Sequence, residues 1–536
     1  MKKKSFRSHR PELIGILAAF LVIKYVWTLM FFDVPLGYDA GIYRYLFSIH
    51  AGGWPPFMLA DAPAWTQSHP LGLFFFSSIL LRLGVPVDWL IGWIWNFFPV
   101  VLSVLIAWTW HKRDVRTHGF DAVVMLCALL SSVQFDGFTA MYWKAFVAFA
   151  WCVLSFRLIE RTSAWWILPG MLTLATHLQV GLILGVSVMS VLVSHLLADR
   201  YKDARFLCWT GLVALVSGAL WYVLTYPIAV APLLEPVFQS LGKVLFGVFA
   251  FVALCSADAF FLFDKKYLRH SIGKLLPYAF IACIILVALV TAVTGSTASG
   301  VSGSFISLSD YLTGSFPLLV LGATGLLLSF RRERGSVWQW AVLWCAGFAL
   351  TGFFFHLRFI LPLDFFLLPF CALGVYELWR TRATGMRLLV VCLLVLQAAL
   401  TAAHVTNARP ELDSTLVHRI AIIGSAIPKR SVVLTLDNIT APWMLGFMPH
   451  ARLVAPGIFE SRTEDEWTRF LYGSREERLA FLRTFERPLF LYASPVFDAF
   501  YPPEVKALFD DRCLDSTPYA EVKYFACQWQ DRDATP

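Results

Sequence analysis

Charge is scarce in this chain. Asp, Glu, Lys and Arg supply 15% of its 536 residues, against about 25% in soluble domains. That shortage excludes a string of soluble domains, the ordinary reading of such a length. In its place stand 58% hydrophobic residues, 16% aromatics and a mean hydropathy of +0.65. The composition is that of a polytopic membrane protein. A long basic run is also missing. The net charge of +8 is spread in short clusters between apolar segments, where orientation rules put it, so it is no sign of nucleic acid. No internal repeat is visible, and no CxxC motif or paired histidine accompanies the 10 cysteines, which argues against a zinc site. Most of them fall inside apolar segments as small core residues. Only Cys513 and Cys527 lie in a polar tail. As a lone pair there they read as a disulfide if the tail faces an oxidising compartment.

What is present is a series of apolar segments punctuated by basic clusters. The N-terminus is basic, but the run from Leu13 to Phe32 is about 20 residues, long enough to span, and has no small-x-small cleavage site. It reads as an uncleaved first helix with its start in the cytoplasm. Residues Asp33 to His69 form the first external loop, with short helices lying on the interface. Pro70 to Leu83 is too short to cross and is read as re-entrant or surface-lying. Spans are then expected at Trp89–Trp110, Phe120–Val133, Ala140–Phe156, Ala164–Thr176, Val180–Leu197, Phe206–Tyr226, Val244–Phe263, Leu275–Val293, Phe316–Phe330, Val337–Phe355, Phe359–Leu378 and Leu388–Ala403. Residues Thr294 to Ser315 read as a mobile Gly/Ser-rich external loop. With about thirteen spans, nearly every Lys/Arg cluster falls on the cytoplasmic side.

Residues 1–404 therefore form a mainly α, polytopic membrane helix bundle, and residues 405–536 a small α/β domain on the outer face. In that tail Val432–Leu436, Pro488–Tyr492 and Glu521–Ala526 read as strands, Glu464–Leu482 and Pro503–Phe509 as helices. Asn438-Ile439-Thr440 is a glycosylation sequon of the kind chance often produces. Compact loops favour a bacterial inner membrane, with the tail in the periplasm.

Charges inside the membrane are costly and usually functional, yet Lys24 is the main one near mid-span. The other polar candidates gather at external ends: Asp39, Arg44, His69, Asp136, Lys144, His177, Glu235, His356 and Arg358. Singly each reads as a loop residue or helix cap, Asp39 as the N-cap of a short helix. Together they outline one cavity at the outer surface. A transporter would place its site near the midplane on repeated halves with broken helices. Two carboxylates beside cations suit transfer of a sugar from a lipid phosphate instead, with a base for the acceptor and cations for the leaving phosphate. A transporter or lipid-linked-sugar flippase working through Lys24 is the alternative.

The stretch Tyr38-Asp39-Ala40-Gly41-Ile42-Tyr43, just after the first span, resembles the signature of the C-type membrane glycosyltransferases (the GT-C fold). The branch it resembles holds the protein O-mannosyltransferases and the lipid A aminoarabinose transferase. Ser68-His69-Pro70-Leu71 resembles that branch's Lys-Pro-Pro-Leu element, with His69 in place of Lys. His356-Leu357-Arg358-Phe359-Ile360-Leu361-Pro362 resembles its Arg-Tyr-x-Leu-Pro element, with Phe359 in place of Tyr. Asp136, expected to open the Ala140–Phe156 segment, matches its second acid. The resemblance implies a polyprenyl-phosphate-sugar donor, a glycan, lipid or protein acceptor, and an inverting single displacement. Asp39 would be the general base, with Asp136 orienting it or the acceptor. Tyr43, Arg44, His69, Lys144, His177 and Arg358 would bind substrate, the cations among them meeting the phosphate. Asp39 and Asp136 could also share a divalent ion, since hard oxygen ligands suit Mg²⁺ or Mn²⁺; some members of this fold do without one.

Overall fold

The computed structural model describes residues 10–37, 39–52, 66, 71–111, 119–225, 276–285, 306–332, 335–351, 356–381, 383–459, 462–486, 488–495, 497, 503, 513–515 and 523–527. His69, Glu235, the expected span Val244–Phe263 and most of the expected helix Pro503–Phe509 lie outside them. The chain forms two compact units: residues 1–27, 70–73 and 96–408 make one, and residues 28–69, 74–95 and 409–536 the other.

The first unit is helical. It begins with α1 (Arg10–Phe32), which continues into the second unit. Four helices among the described residues are long and apolar enough to cross a membrane: Glu12–Phe32, Leu178–Leu197, Leu357–Arg380 and Thr384–Asn407. The number rises to 7 when each bent pair of shorter helices counts as one span. Two of the expected spans, Trp89–Trp110 and Phe120–Val133, are thus interrupted, while Phe316–Phe330 is continuous. Phe120–Leu130 and Ser132–Thr139 meet at 57°, Leu308–Gly314 and Phe316–Arg331 at 83°. The last pair also corrects the end of the expected Gly/Ser loop, which is helical from Leu308. The Ile360–Arg380 helix is central and buried along nearly its whole length. It crosses Phe316–Arg332 closely: a Cβ on Gly325 would run into the carbonyl of Phe370, and one on Gly374 into that of Leu321. Small residues at such a crossing let two backbones approach, which is how helices associate where the hydrophobic effect gives no help.

The second unit holds α2 (Ala40–Gly52) and a five-stranded sheet in the order β2-β1-β3-β5-β4; along the chain α2 is followed by α3 (Leu71–Arg82), α4 (Val87–Trp89) and α5 (Phe98–His111). These strands are β1 (Val432–Thr435), β2 (Arg452–Val454), β3 (Leu489–Ala493), β4 (Cys513–Asp515) and β5 (Lys523–Cys527). β1 runs parallel to β2 and β3, while β5 is antiparallel to β3 and β4. Every residue of β1 and β3 is buried, the signature of strands covered on both faces and the reason they read as unbroken apolar runs. Trp467, Phe470 and Phe481 pack with Leu434, Leu436 and Leu491 in one core. The expected single helix Glu464–Leu482 is two helices, Glu464–Tyr472 and Arg475–Arg483, each opened by its own capping box.

Candidate functional site

In the second unit Asp39 stands where α2 begins, half-buried, with its main-chain carbonyl accepting from the Tyr43 amide at 2.9 Å. Two residues on, Gly41 lies against the Ala441–Phe447 helix so closely that a Cβ would strike the Pro442 carbonyl. Only glycine allows that approach. Tyr43, expected to bind substrate, is 4% exposed, its ring between Phe47 and Phe74 at 5.8 and 6.1 Å. Arg44 is likewise engaged within its unit. It pairs with Asp88 and lies over the Phe447 ring at 4.5 Å, which balances its charge locally.

In the first unit Asp136 does not open the segment that follows. It lies on α7 (Ser132–Thr139), the second half of a broken helix whose first half, α6 (Phe120–Leu130), ends at an extended Ser131. The Ser131 hydroxyl caps α7 by accepting from the Gln134 amide at 3.1 Å. It also donates to the buried Asp364 carboxylate at 2.7 Å, which takes a second bond from Gln134 Nε2 at 2.9 Å. Ser131-x-x-Gln134 is a capping-box spacing visible in the sequence, and it was the available signal for the break. Asp136 itself, about a quarter exposed, meets His404 Nε2. His404 belongs to the Thr384–Asn407 helix and was not singled out from the sequence, where it reads as one more residue near a span's end.

Lys24 is buried, and main chain engages its ammonium. Its ammonium donates to the carbonyls of Leu129 at 3.0 Å, Ala128 at 3.5 Å and Ser131. The Ala128 carbonyl also accepts from the Ser131 amide at 3.3 Å; all three carbonyls lie at the C-terminal end of α6, where a cation is the favoured ligand. The flippase alternative leans on Lys24, to which these bonds give a structural duty.

In the first unit two of the expected cations, Lys144 and Arg358, bear on His177. Lys144 is the second residue of α8 (Trp143–Ile159). His177 joins α9 (Ile167–Thr176) to α10 (Leu178–Leu197) in extended conformation. Arg358 is exposed on the short turn His356–Phe359 that precedes Ile360. Lys144 and Arg358 are near enough for both charges to bear on the His177 imidazole, whose buried Nδ1 has no hydrogen-bond partner among the described residues. Gly72, three positions after His69, packs on Thr176, the neighbour of His177; a Cβ there would strike the Thr176 hydroxyl. Two positive charges and an imidazole from three separate stretches of sequence thus bear on one another. Like charges gathered around an unsatisfied polar atom favour an anion. Among the described residues no group of three His, Cys, Asp or Glu side chains is arranged to hold a metal ion.

No protein-family model and no curated protein sequence matches the chain. Among solved structures, that of ArnT from Cupriavidus metallidurans in the apo state is similar to it, with 12% identity, 97% of this chain and 98% of that chain covered, and a TM-score of 0.42. Neither a reaction nor a substrate for this chain follows from a likeness of that degree.

Proposed function

We propose that this protein is a membrane glycosyltransferase that moves a sugar from a polyprenyl-phosphate donor to a glycan, lipid or protein acceptor at the outer face of the membrane. The observation that carries the reading is the meeting of Lys144, His177 and Arg358. In the proposed reaction Asp39 takes the proton from the acceptor hydroxyl or amine as that atom attacks the anomeric carbon. The bond from that carbon to the phosphate oxygen breaks, and the phosphate leaves with the electron pair. A single attack from the opposite face inverts the anomeric centre. The charge that develops on the leaving phosphate falls to Arg358 and Lys144, Arg358 offering a planar fork and Lys144 a point charge. His177 supplies a further polar contact beside them, and Asp136 serves as the second acid of the site. His69, at the head of the stretch that continues into Gly72, is assigned to the same phosphate.

The test uses the purified chain in vesicles, supplied with the polyprenyl-phosphate lipid that mass spectrometry finds bound to it. Asp39→Asn is expected to abolish transfer at unchanged membrane level. Arg358→Ala is expected to weaken donor use by about 2 kcal/mol, the usual worth of a hydrogen bond to a charged group. Retained transfer by Asp39→Asn, or copurification of no isoprenoid lipid at all, would overturn the reading.

A further inference from the structure

The Thr384–Asn407 helix turns three polar side chains toward the break between α6 and α7. Gln397, Thr401 and His404 are four and three positions apart, which stacks them along one stripe of the helix. Gln397 Nε2 donates to the carbonyl of Leu130 at 3.0 Å and to that of Gly314 at 2.9 Å. The Thr401 hydroxyl donates to the same Leu130 carbonyl. These two, with Lys24 on the other side, satisfy the backbone groups that the broken helix leaves exposed in an apolar setting. His404 does something different. Its Nε2 goes to Oδ1 of Asp136, a side chain on α7, and touches no backbone of the break.

The surroundings limit how that pair can move. The His404 ring stands edge-on to Phe135 at 6.2 Å and 84°, and Phe135 is fully buried against Tyr25 and Phe138. Asp136 is held on a two-turn helix whose start is fixed by the Ser131 cap and by Asp364. Among the described residues Oδ2 of Asp136 has no protein partner, so one carboxylate oxygen is tied to the imidazole and the other is left for a second donor. Lys24 and Asp310 also bear on the His404 ring, from farther away.

We infer that His404 is a positioning residue for Asp136. It fixes the rotation of the carboxylate and selects which oxygen remains available, as an imidazole–carboxylate pair does wherever one partner orients the other. The inference rests on the reading of Asp136 as the second acid of the transfer.

Two measurements test it. Magic-angle-spinning NMR of the full chain in proteoliposomes, with ring-¹⁵N histidine, reads the pair directly. The His404 signal is the one lost in His404→Gln. Its ring N–H proton is expected at low field in the wild type, where it is bonded to a carboxylate, and to move upfield in Asp136→Ala. A signal indifferent to Asp136→Ala overturns the pair. The second measurement is transfer from the copurified polyprenyl-phosphate lipid. His404→Ala is expected to lower kcat by roughly 10- to 100-fold, the usual cost of losing an orienting partner, with the donor KM unchanged. His404→Gln, which keeps an N–H in about the same place, is expected to recover part of that loss. Equal losses in both variants that follow a fall in folded protein would make His404 merely structural. If the wild type transfers nothing, the proposed function fails on its own, and the NMR measurement still decides whether His404 holds Asp136.

Discussion

Asp39 and Gly41 stand two residues apart in one motif and do different work. Asp39 is half-buried at the head of α2, while Gly41 is pressed onto the backbone of Pro442 and Trp443. A methyl group at Gly41 has nowhere to go, because what it would meet is main chain and not the end of a flexible side chain. Gly41→Ala is therefore expected to cost about 1–3 kcal/mol, the range for overpacking a tight contact, and to show as a lower thermal midpoint of the purified protein. Asp39→Asn removes only a charge, and is expected to leave that midpoint in place while transfer is lost. An unchanged midpoint for Gly41→Ala would mean that the two helices do not approach so closely. The sequence could offer Asp39 as chemistry, since an acid after a first span is conspicuous. It could not offer the reason for Gly41, whose partner lies near the other end of the chain. The burial of Tyr43 against Phe47 and Phe74 is hidden from the sequence for the same cause.

Among the elements, the sequence is legible where periodicity or a continuous apolar run decides. It is not where a helix breaks. The windows that place a span average over a break, and the groups that make a break tolerable come from elsewhere: Lys24, Gln397 and Thr401 all serve carbonyls around Leu130. Asp136 was consequently assigned to the wrong segment, and His404 passed unnoticed. In the polar tail the break between Tyr472 and Arg475 could have been seen, since Ser474-x-x-Glu477 is a capping box. The Thr463/Glu466 and Ser474/Glu477 boxes also carry a pH dependence. The Thr463 amide donates to Glu466 and the Ser474 amide to Glu477, both at 2.8 Å. Those backbone N–H groups, first among the causes, hold each carboxyl below its ordinary value of 4.5. A carboxyl depressed in the folded state stabilises the fold above its unfolded pKa, and the contribution is lost as pH falls through the folded one. Both side chains are surface-exposed, so the effect is small. Thermal midpoints measured from neutrality down through pH 4.5 should fall less steeply in the double variant Glu466→Gln, Glu477→Gln than in the wild type. Parallel curves would remove the boxes from the acid response.

For the molecule as a whole, the question is which side of the membrane the sheet faces. The distribution of Lys and Arg argues that the N-terminus is cytoplasmic and the tail outside, and the sheet supplies an independent way to ask. Strands β4 and β5 run antiparallel with Cys513 directly opposite Cys527. Directly opposed residues of such a pair have Cα atoms about 4.5–5.5 Å apart, inside the range of about 4.4–6.8 Å that a disulfide spans. The backbone thus brings the two cysteines to bonding range, and the compartment decides whether the bond forms. With the tail in the periplasm, protein extracted under alkylating, non-reducing conditions should yield the Cys513 and Cys527 peptides joined, with the joined species disappearing on reduction. The cysteines buried in the helical unit, such as Cys127 and Cys371, should remain thiols in the same sample and serve as its internal control. Free alkylation of both tail cysteines would put the sheet on the reducing side.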